Sequence, residues 1–186
     1  MIMMKKAMSG NNMTYISHYF SPLGDITMAS DGNSLIGLWF AEQKYFGDTL
    51  SDRYETKDLS VFEETKKWLD LYFAGKDPGS IPSLKIETNP FRKRVWEILL
   101  TIPYGRVMSY GQIAKMIAEE RGIRRMSAQA VGNAVAHNPI SLIIPCHRVI
   151  GSDGSLTGYA SGIDKKIRLL EMEGGSISNE KYQKCL

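Results

Sequence analysis

The sequence predicts two small domains in tandem, an α/β half whose strands precede a helix and a mainly α half that carries a helix-turn-helix. Three observations predict it. Residues 15–40 alternate in the strand period between turn signals, and residues 90–137 carry helical periodicity broken by caps and stops. The charge also reverses near residue 88, from 9 Lys/Arg against 12 Asp/Glu in residues 1–87 to 14 against 8 in residues 88–186. The expected boundaries are a disordered Met-rich tail over 1–13, domains over 14–88 and 89–175, and a C-terminal tail over 176–186.

In the first half, YISHYF, DITMAS and SLIGLWF read as a strand meander. The turn signals Ser21-Pro22-Leu23-Gly24 and Asp31-Gly32-Asn33 separate them. Residues 61–73 put Val61, Trp68, Leu69, Tyr72 and Phe73 on one helical face, with Gly75 and Pro78 as stops. A short extended piece, 81–87, leads to Asn89-Pro90, an N-cap followed by proline at the first helical position.

The second half opens with a helix over 90–100 that buries Phe91, Val95, Ile98 and Leu99. After the turn at Pro103-Tyr104-Gly105, Ser109-Tyr110-Gly111-Gln112 fits a capping box. The helix it starts buries Ile113, Met116 and Ile117 and stops near Gly122. Ser127 caps a second short helix, AQAVGNAVAH, which Asn138-Pro139 ends. Two short helices with Arg121, Arg124 and Arg125 between them fit a helix-turn-helix. The second helix turns Val131, Ala134 and Val135 inward. Its other side carries Gln129, Gly132, Asn133, Ala136 and His137, a low-profile face that suits a minor groove or tight helix packing.

Hydrophobic content of 43% and charged content of 23% are those of a globular chain. No stretch reaches the length of a membrane span, and the N-terminal residues contain no apolar run of signal-peptide length, so a cytoplasmic protein is expected; a monomer is expected as well. Two cysteines, Cys146 and Cys185, make no disulfide framework, and the spacing of Cys and His fits no metal site. The basic second half is the footprint of a polyanion partner, although solvated helix faces give the same count.

One segment, IIPCHRVIG (143–151), sets Cys146, His147 and Arg148 inside an apolar run. A cysteine there is commonly a small buried hydrophobe. His147 and Arg148 would be costly in a plain core strand, and both favour a thiolate. Adjacent strand residues face opposite ways, so cooperation between Cys146 and His147 requires a turn or a bridging water. Pro145 can start such a turn.

Residues 138–162, NPISLIIPCHRVIGSDGSLTGYASG, resemble the active-site region of the O6-alkylguanine-DNA alkyltransferases (methylated-DNA–protein-cysteine methyltransferases). The likeness extends over about 90–174, including FRKRVWEILLTIPYGRVMSYGQIA and SAQAVGNAVAHNP. It implies a ribonuclease-H-like N-terminal domain and a winged-helix-like C-terminal one. It implies a partner, double-stranded DNA containing O6-alkylguanine, bound through the minor groove with the damaged base rotated out. Cys146 would be the nucleophile, His147 would deprotonate it through a water, and Glu173 would orient His147. Tyr110 would crowd a phosphate and give a proton to the leaving guanine. The carbonyls of Cys146 and Val149 would accept from the exocyclic amine, Tyr159 and Ala160 would line the pocket, and Asn138 would tie the helices to the active-site loop. DNA contact falls to Arg92, Gly111, Arg124, Arg125, Ala128, Gln129, Gly132 and Ser152. Arg148 is expected to be a structural ion-pair member, and the resemblance implies neither cofactor nor metal.

One departure stands out. Where the family commonly has an arginine filling the gap left by the flipped base, this chain has Gln129, which lacks the charge and stacking plane of a guanidinium. Arg124 or Arg125 could substitute. Two other readings compete: a sensor that binds alkylguanine without transfer, and a cysteine hydrolase or thiol-redox protein. Cys146 argues against the first, and the absence of a second histidine motif or a C-x-x-C against the second.

Overall fold

The computed structural model describes residues 13–178 and 181–183. The tail expected over 1–13 falls, apart from Met13, outside the described residues, as does Cys185. Strands β1 (Thr14–Ser21), β2 (Gly24–Ser30) and β3 (Leu35–Phe40) form the expected antiparallel meander. Alternation along them sends Ile26, Met28, Leu38 and Phe40 into the core. A three-residue strand, β4 (Tyr54–Thr56), pairs parallel with β1 and makes the sheet order β3-β2-β1-β4. All three of its residues are exposed, so no hydrophobic pattern announces it. Helix α1 (Ser60–Phe73) buries Val61, Phe62, Leu69 and Tyr72 as its periodicity requires.

The edge of β3 is closed by two segments. The Leu35 N–H donates to Ser83 O and the Lys85 N–H donates to Leu35 O, both at 2.8 Å, which gives the extended piece 81–87 its partner. Further along, the Leu38 N–H donates to Pro139 O and the Ser141 N–H donates to Leu38 O, again at 2.8 Å. The chain that leads into the Cys146 loop is thereby hydrogen-bonded to the N-terminal sheet.

Helix α2 (Pro90–Leu100) begins as its sequence dictates, with Asn89 Oδ1 accepting from the Arg92 N–H at 2.9 Å. Strand β5 (Met108–Ser109) leads into α3 (Tyr110–Glu120), whose capping box is complete. Ser109 Oγ accepts from the Gln112 N–H, and Gln112 Oε1 accepts from the Ser109 N–H. Helix α4 (Ala128–Ala136) is capped by Ser127. Two contacts fix α2 against this pair: Trp96 Nε1 donates to Ala134 O at 2.8 Å, and Arg94 bridges to Glu120. Beyond α4 come a 3-10 turn at Cys146–Arg148 and β6 (Val149–Ile150), which lies parallel to β5. Helix α5 (Ile163–Met172) follows.

Where the sequence reading places a plain C-terminal tail, the chain instead pairs β7 (Ser176–Ser178) with β8 (Lys181–Gln183). The Tyr182 N–H donates to Gly154 O at 2.9 Å, so this hairpin supports the loop after β6. One hydrophobic cluster runs from Ile26 and Phe62 through Val95 and Ile117 to Cys146 and Leu169. The Cys146 loop therefore rests on core contributed by both halves. Among the described residues no helix is long and apolar enough to cross a membrane.

Candidate active site

Pro145 (φ −81°, ψ 65°) breaks the apolar run, and the Arg148 N–H donates back to Pro145 O at 3.0 Å. The turn that Pro145 was expected to start is thus present. Cys146 is 4% exposed. Asn138 Nδ2 donates to Cys146 Sγ at 3.1 Å and to Ile144 O at 2.7 Å, while its Oδ1 accepts from the Ile140 N–H at 3.0 Å. One asparagine so fixes the end of α4, the β3-bound segment and the thiol. Burial pushes the Cys146 thiol up, against the hydrogen bond from Asn138 and the charge of Lys166.

Behind Cys146, His147 is fully buried. Its Nε2 lies 2.7 Å from Glu173 Oε1. Burial pulls its pKa below the ordinary imidazole value, so Nε2–H donates to the carboxylate and Nδ1 carries the lone pair. Nδ1 is buried and has no hydrogen-bond partner among the described residues. Glu173 is the most heavily bonded side chain of the site. Besides His147 it accepts from Arg148 Nε at 2.8 Å and Nη2 at 3.0 Å, from Tyr72 Oη at 2.8 Å and from the Gly105 N–H at 3.1 Å. Burial alone would raise its pKa; charge attraction to a protonated His147 and to Arg148, with the hydrogen bonds from both, outweighs that and holds it down to about 2. Gly105, at φ +69°, lets the two backbones pass close together here, since a Cβ there would lie 2.7 Å from the Glu173 main-chain O. Arg148 also donates Nη1 to Ile102 O at 2.7 Å. Its geometry is that of a buried clamp between Glu173 and Ile102.

Lys166, fully buried, donates Nζ to Val149 O at 2.6 Å and to Thr157 O at 3.0 Å. Burial pulls its pKa down to about 8, with the charge of Cys146 opposing. Tyr110, the first residue of α3, donates Oη to Thr157 O at 2.9 Å, and burial together with Cys146 pushes its pKa up to about 12. Gly132 of α4 packs beside that ring: a Cβ there would lie in ordinary contact with Tyr110 Cδ1, at 3.8 Å. Tyr159 is buried and Ala160 half-buried. The N-terminal domain grips this segment. The Lys44 N–H donates to Ala160 O at 3.0 Å, and Gln43 Oε1 accepts from Ser141 and Ser161 hydroxyls, both at 3.1 Å.

The residues expected to touch DNA lie elsewhere. Ala128 and Gln129 are exposed at the start of α4, and Arg124 and Arg125 are exposed in the connection 121–127. Arg92 is half-buried on the first turn of α2. None of these three arginines has an ion-pair partner among the described residues. Gly111 and Ser152 line a cleft of about 500 Å³ together with Ser109 and Lys115. A Cβ at Gly111 would sit 3.0 Å from Ser152 Oγ.

Sequence reasoning gave no role in the site to Tyr72, Lys166 or Gln43. Lys166 had a readable signal, because Ile163, Lys166, Ile167 and Leu170 share one helical face and lysine is the misfit there. Tyr72 reads only as one more core residue of α1, and Gln43 lies in a loop without a motif.

Fold and site together define a class: a two-domain protein with a helix-turn-helix, whose reactive centre is a buried thiol beside an imidazole–carboxylate pair. Residues 90–175 match the 6-O-methylguanine DNA methyltransferase DNA-binding domain, and residues 14–86 match the ribonuclease-like domain of the same family. The chain belongs to the 6-O-methylguanine DNA methyltransferase family. A methylated-DNA–protein-cysteine methyltransferase of Mycobacterium bovis is 44% identical over 153 residues, 82% of this chain and 88% of that one. One from Methanosarcina acetivorans is 41% identical over 86% of this chain and 98% of its own. The crystal structure of Mycobacterium tuberculosis OGT in complex with DNA superposes with a TM-score of 0.76 at 41% identity, covering 86% of this chain and 93% of that chain.

Proposed function

We infer that this protein repairs alkylated DNA by moving the alkyl group from O6 of guanine to Sγ of Cys146, once per molecule. The observation that carries this reading is the thiol held by Asn138 beside a neutral His147 whose Nδ1 is buried and unpartnered. A water between Sγ and Nδ1 carries the thiol proton to His147, and the ionised Glu173 stabilises the imidazolium that forms. Asn138 and Lys166 favour the resulting thiolate. Sulfur attacks the alkyl carbon, the C–O6 bond breaks, and its electron pair passes into the guanine ring. Tyr110 supplies the proton the ring then takes up, exchanging its bond to Thr157 O for the base. The product is a thioether with no activated carbonyl for water to attack, so Cys146 is consumed.

Duplex DNA is engaged through α3 and α4. The cleft beside Gly111 and Ser152 at the start of α3 suits a backbone phosphate, Arg92, Arg124 and Arg125 add positive charge, and the low face at Ala128 and Gly132 suits a minor groove. Gln129 fills the space left by the extruded base, within reach of the orphaned cytosine. The protein acts as a monomer in the cytoplasm, where reducing conditions keep Cys146 a thiol.

Digesting the treated duplex tests the reaction. O6-methylguanine should disappear and guanine appear with wild-type protein and not with Cys146→Ser. Duplex that is bound but keeps its O6-methylguanine would make the protein a sensor.

A further inference from the structure

We propose that Tyr72, carried by the N-terminal domain, is a positioning residue of the transfer reaction: its hydroxyl shares Glu173 Oε1 with His147 and so sets how basic His147 is. This rests on the reading of His147 as the group that takes the Cys146 proton.

Tyr72 lies on the last turn of α1, far in sequence from both partners. Its Oη donates to Glu173 Oε1 at 2.8 Å and sits 3.2 Å from His147 Nε2. The side chain has no freedom to leave. It is fully buried, stacks on Trp68 with centroids 5.4 Å apart, and meets Phe73, Tyr104 and His147 edge-on. A buried phenol needs a hydrogen-bond partner, and the one Tyr72 takes is the carboxylate that also holds His147.

The division of Glu173 explains the arrangement. Arg148 Nε and the Gly105 N–H occupy Oε2, whereas Oε1 takes His147, Tyr72 and Arg148 Nη2. Of these donors only His147 changes charge during transfer. Each further donor on Oε1 withdraws negative charge from the atom that would stabilise the imidazolium. The Tyr72 hydroxyl therefore weakens the pull of Glu173 on a proton at His147, and keeps the ring neutral, with Nδ1 ready to accept. The other ionisable groups facing the pair are Arg148, Cys146, Lys166, Tyr104 and Tyr159. Glu173 is ionised well below neutrality, Lys166 titrates near 8, and burial raises the tyrosines and the thiol. On the acid limb of the pH–rate profile, His147 alone changes charge.

The experiment is the single-turnover rate of methyl transfer to full-length protein, measured from pH 5 to 9 with a duplex containing O6-methylguanine. In Tyr72→Phe the acid limb should move up by about half a unit to one unit. At pH values below the wild-type midpoint of that limb the rate should then fall by about threefold to tenfold, with little change at pH 8.5. Replacing Tyr72 with 3-fluorotyrosine, which keeps the hydroxyl and makes it a stronger donor, should move the limb down. It serves as the test if the phenylalanine variant does not fold. A limb that stays in place in both variants, whatever happens to thermal stability, overturns the proposal and leaves Tyr72 a packing residue. Wild-type protein that never methylates Cys146 would instead overturn the reading on which the proposal rests.

Discussion

The surroundings of Glu173 and the outward face of α4 are two polar regions of one domain built in opposite ways. Around Glu173 the side-chain donors Tyr72, His147 and Arg148 are buried and, with the half-buried Gly105 N–H, are aimed at a single carboxylate. On α4 and the connection before it, Gln129, Arg124 and Arg125 stand in solvent, without ion-pair partners among the described residues. The first region is a closed network, in which removing one member strands the others at low dielectric. The second is a set of separate contacts whose effects add and are screened by salt. Fold stability should therefore reside in the first region and DNA affinity in the second.

The largest effect should come from Glu173→Gln, which leaves Arg148 buried without its counter-charge. Urea denaturation should show a loss of about 3–5 kcal/mol, with transfer abolished. The wild-type protein should show the same dependence through pH. Glu173 ionises near pH 2 in the fold against an ordinary value of 4.5, so its contribution is complete above about 4.5 and lost as pH falls through 2, on the order of 3 kcal/mol. His147 acts earlier in the same direction. It is held neutral, so stability begins to fall once the pH drops below about 6.5, where the unfolded chain takes up that proton.

Asn138→Ala should rank next. It frees the Ile144 and Ile140 backbone groups along with the thiol, and should cost about 1–3 kcal/mol in chemical denaturation and slow transfer. Stability that did not change would sever the link from α4 to the reactive loop.

Across the divide, Arg124→Ala and Arg125→Ala should leave the unfolding curve in place. Each should lower the slope of log affinity against log salt by about 1, with transfer from an alkylated free base unaltered. A large stability loss in either would break the comparison. The smallest effect is expected for Gln129→Arg, which would put a charged, planar side chain at the gap proposed for the flipped base and should tighten duplex binding by about threefold to tenfold in a titration. Unchanged affinity and transfer rate would remove Gln129 from that gap.

Local signals were the legible ones. Asn89-Pro90, the Ser109–Gln112 capping box and the Ser127 cap each start a helix where expected, because their hydrogen bonds close within three residues. The turn at Pro145 followed from the conflict between adjacent polar residues and a strand. What escaped was set by distant contacts. Strand β4 is three exposed residues that pair only because β1 offers an edge. The β7–β8 hairpin is short and largely polar, and it forms against the loop at Gly154. Tyr72 meets Glu173 across 101 positions, and nothing in α1 distinguishes it from its apolar neighbours. Glu173 itself was read through the family likeness, since no pattern in DKKIRLLEMEG marks it.

The count of alkyl groups per protein chain tests the central claim most directly. Incubated with an excess of duplex containing O6-methylguanine, the protein should gain the mass of one methyl group, located on the Cys146 peptide, and the reaction should stop there. Turnover beyond one methyl per chain, or a single methyl on any other residue, would contradict the account.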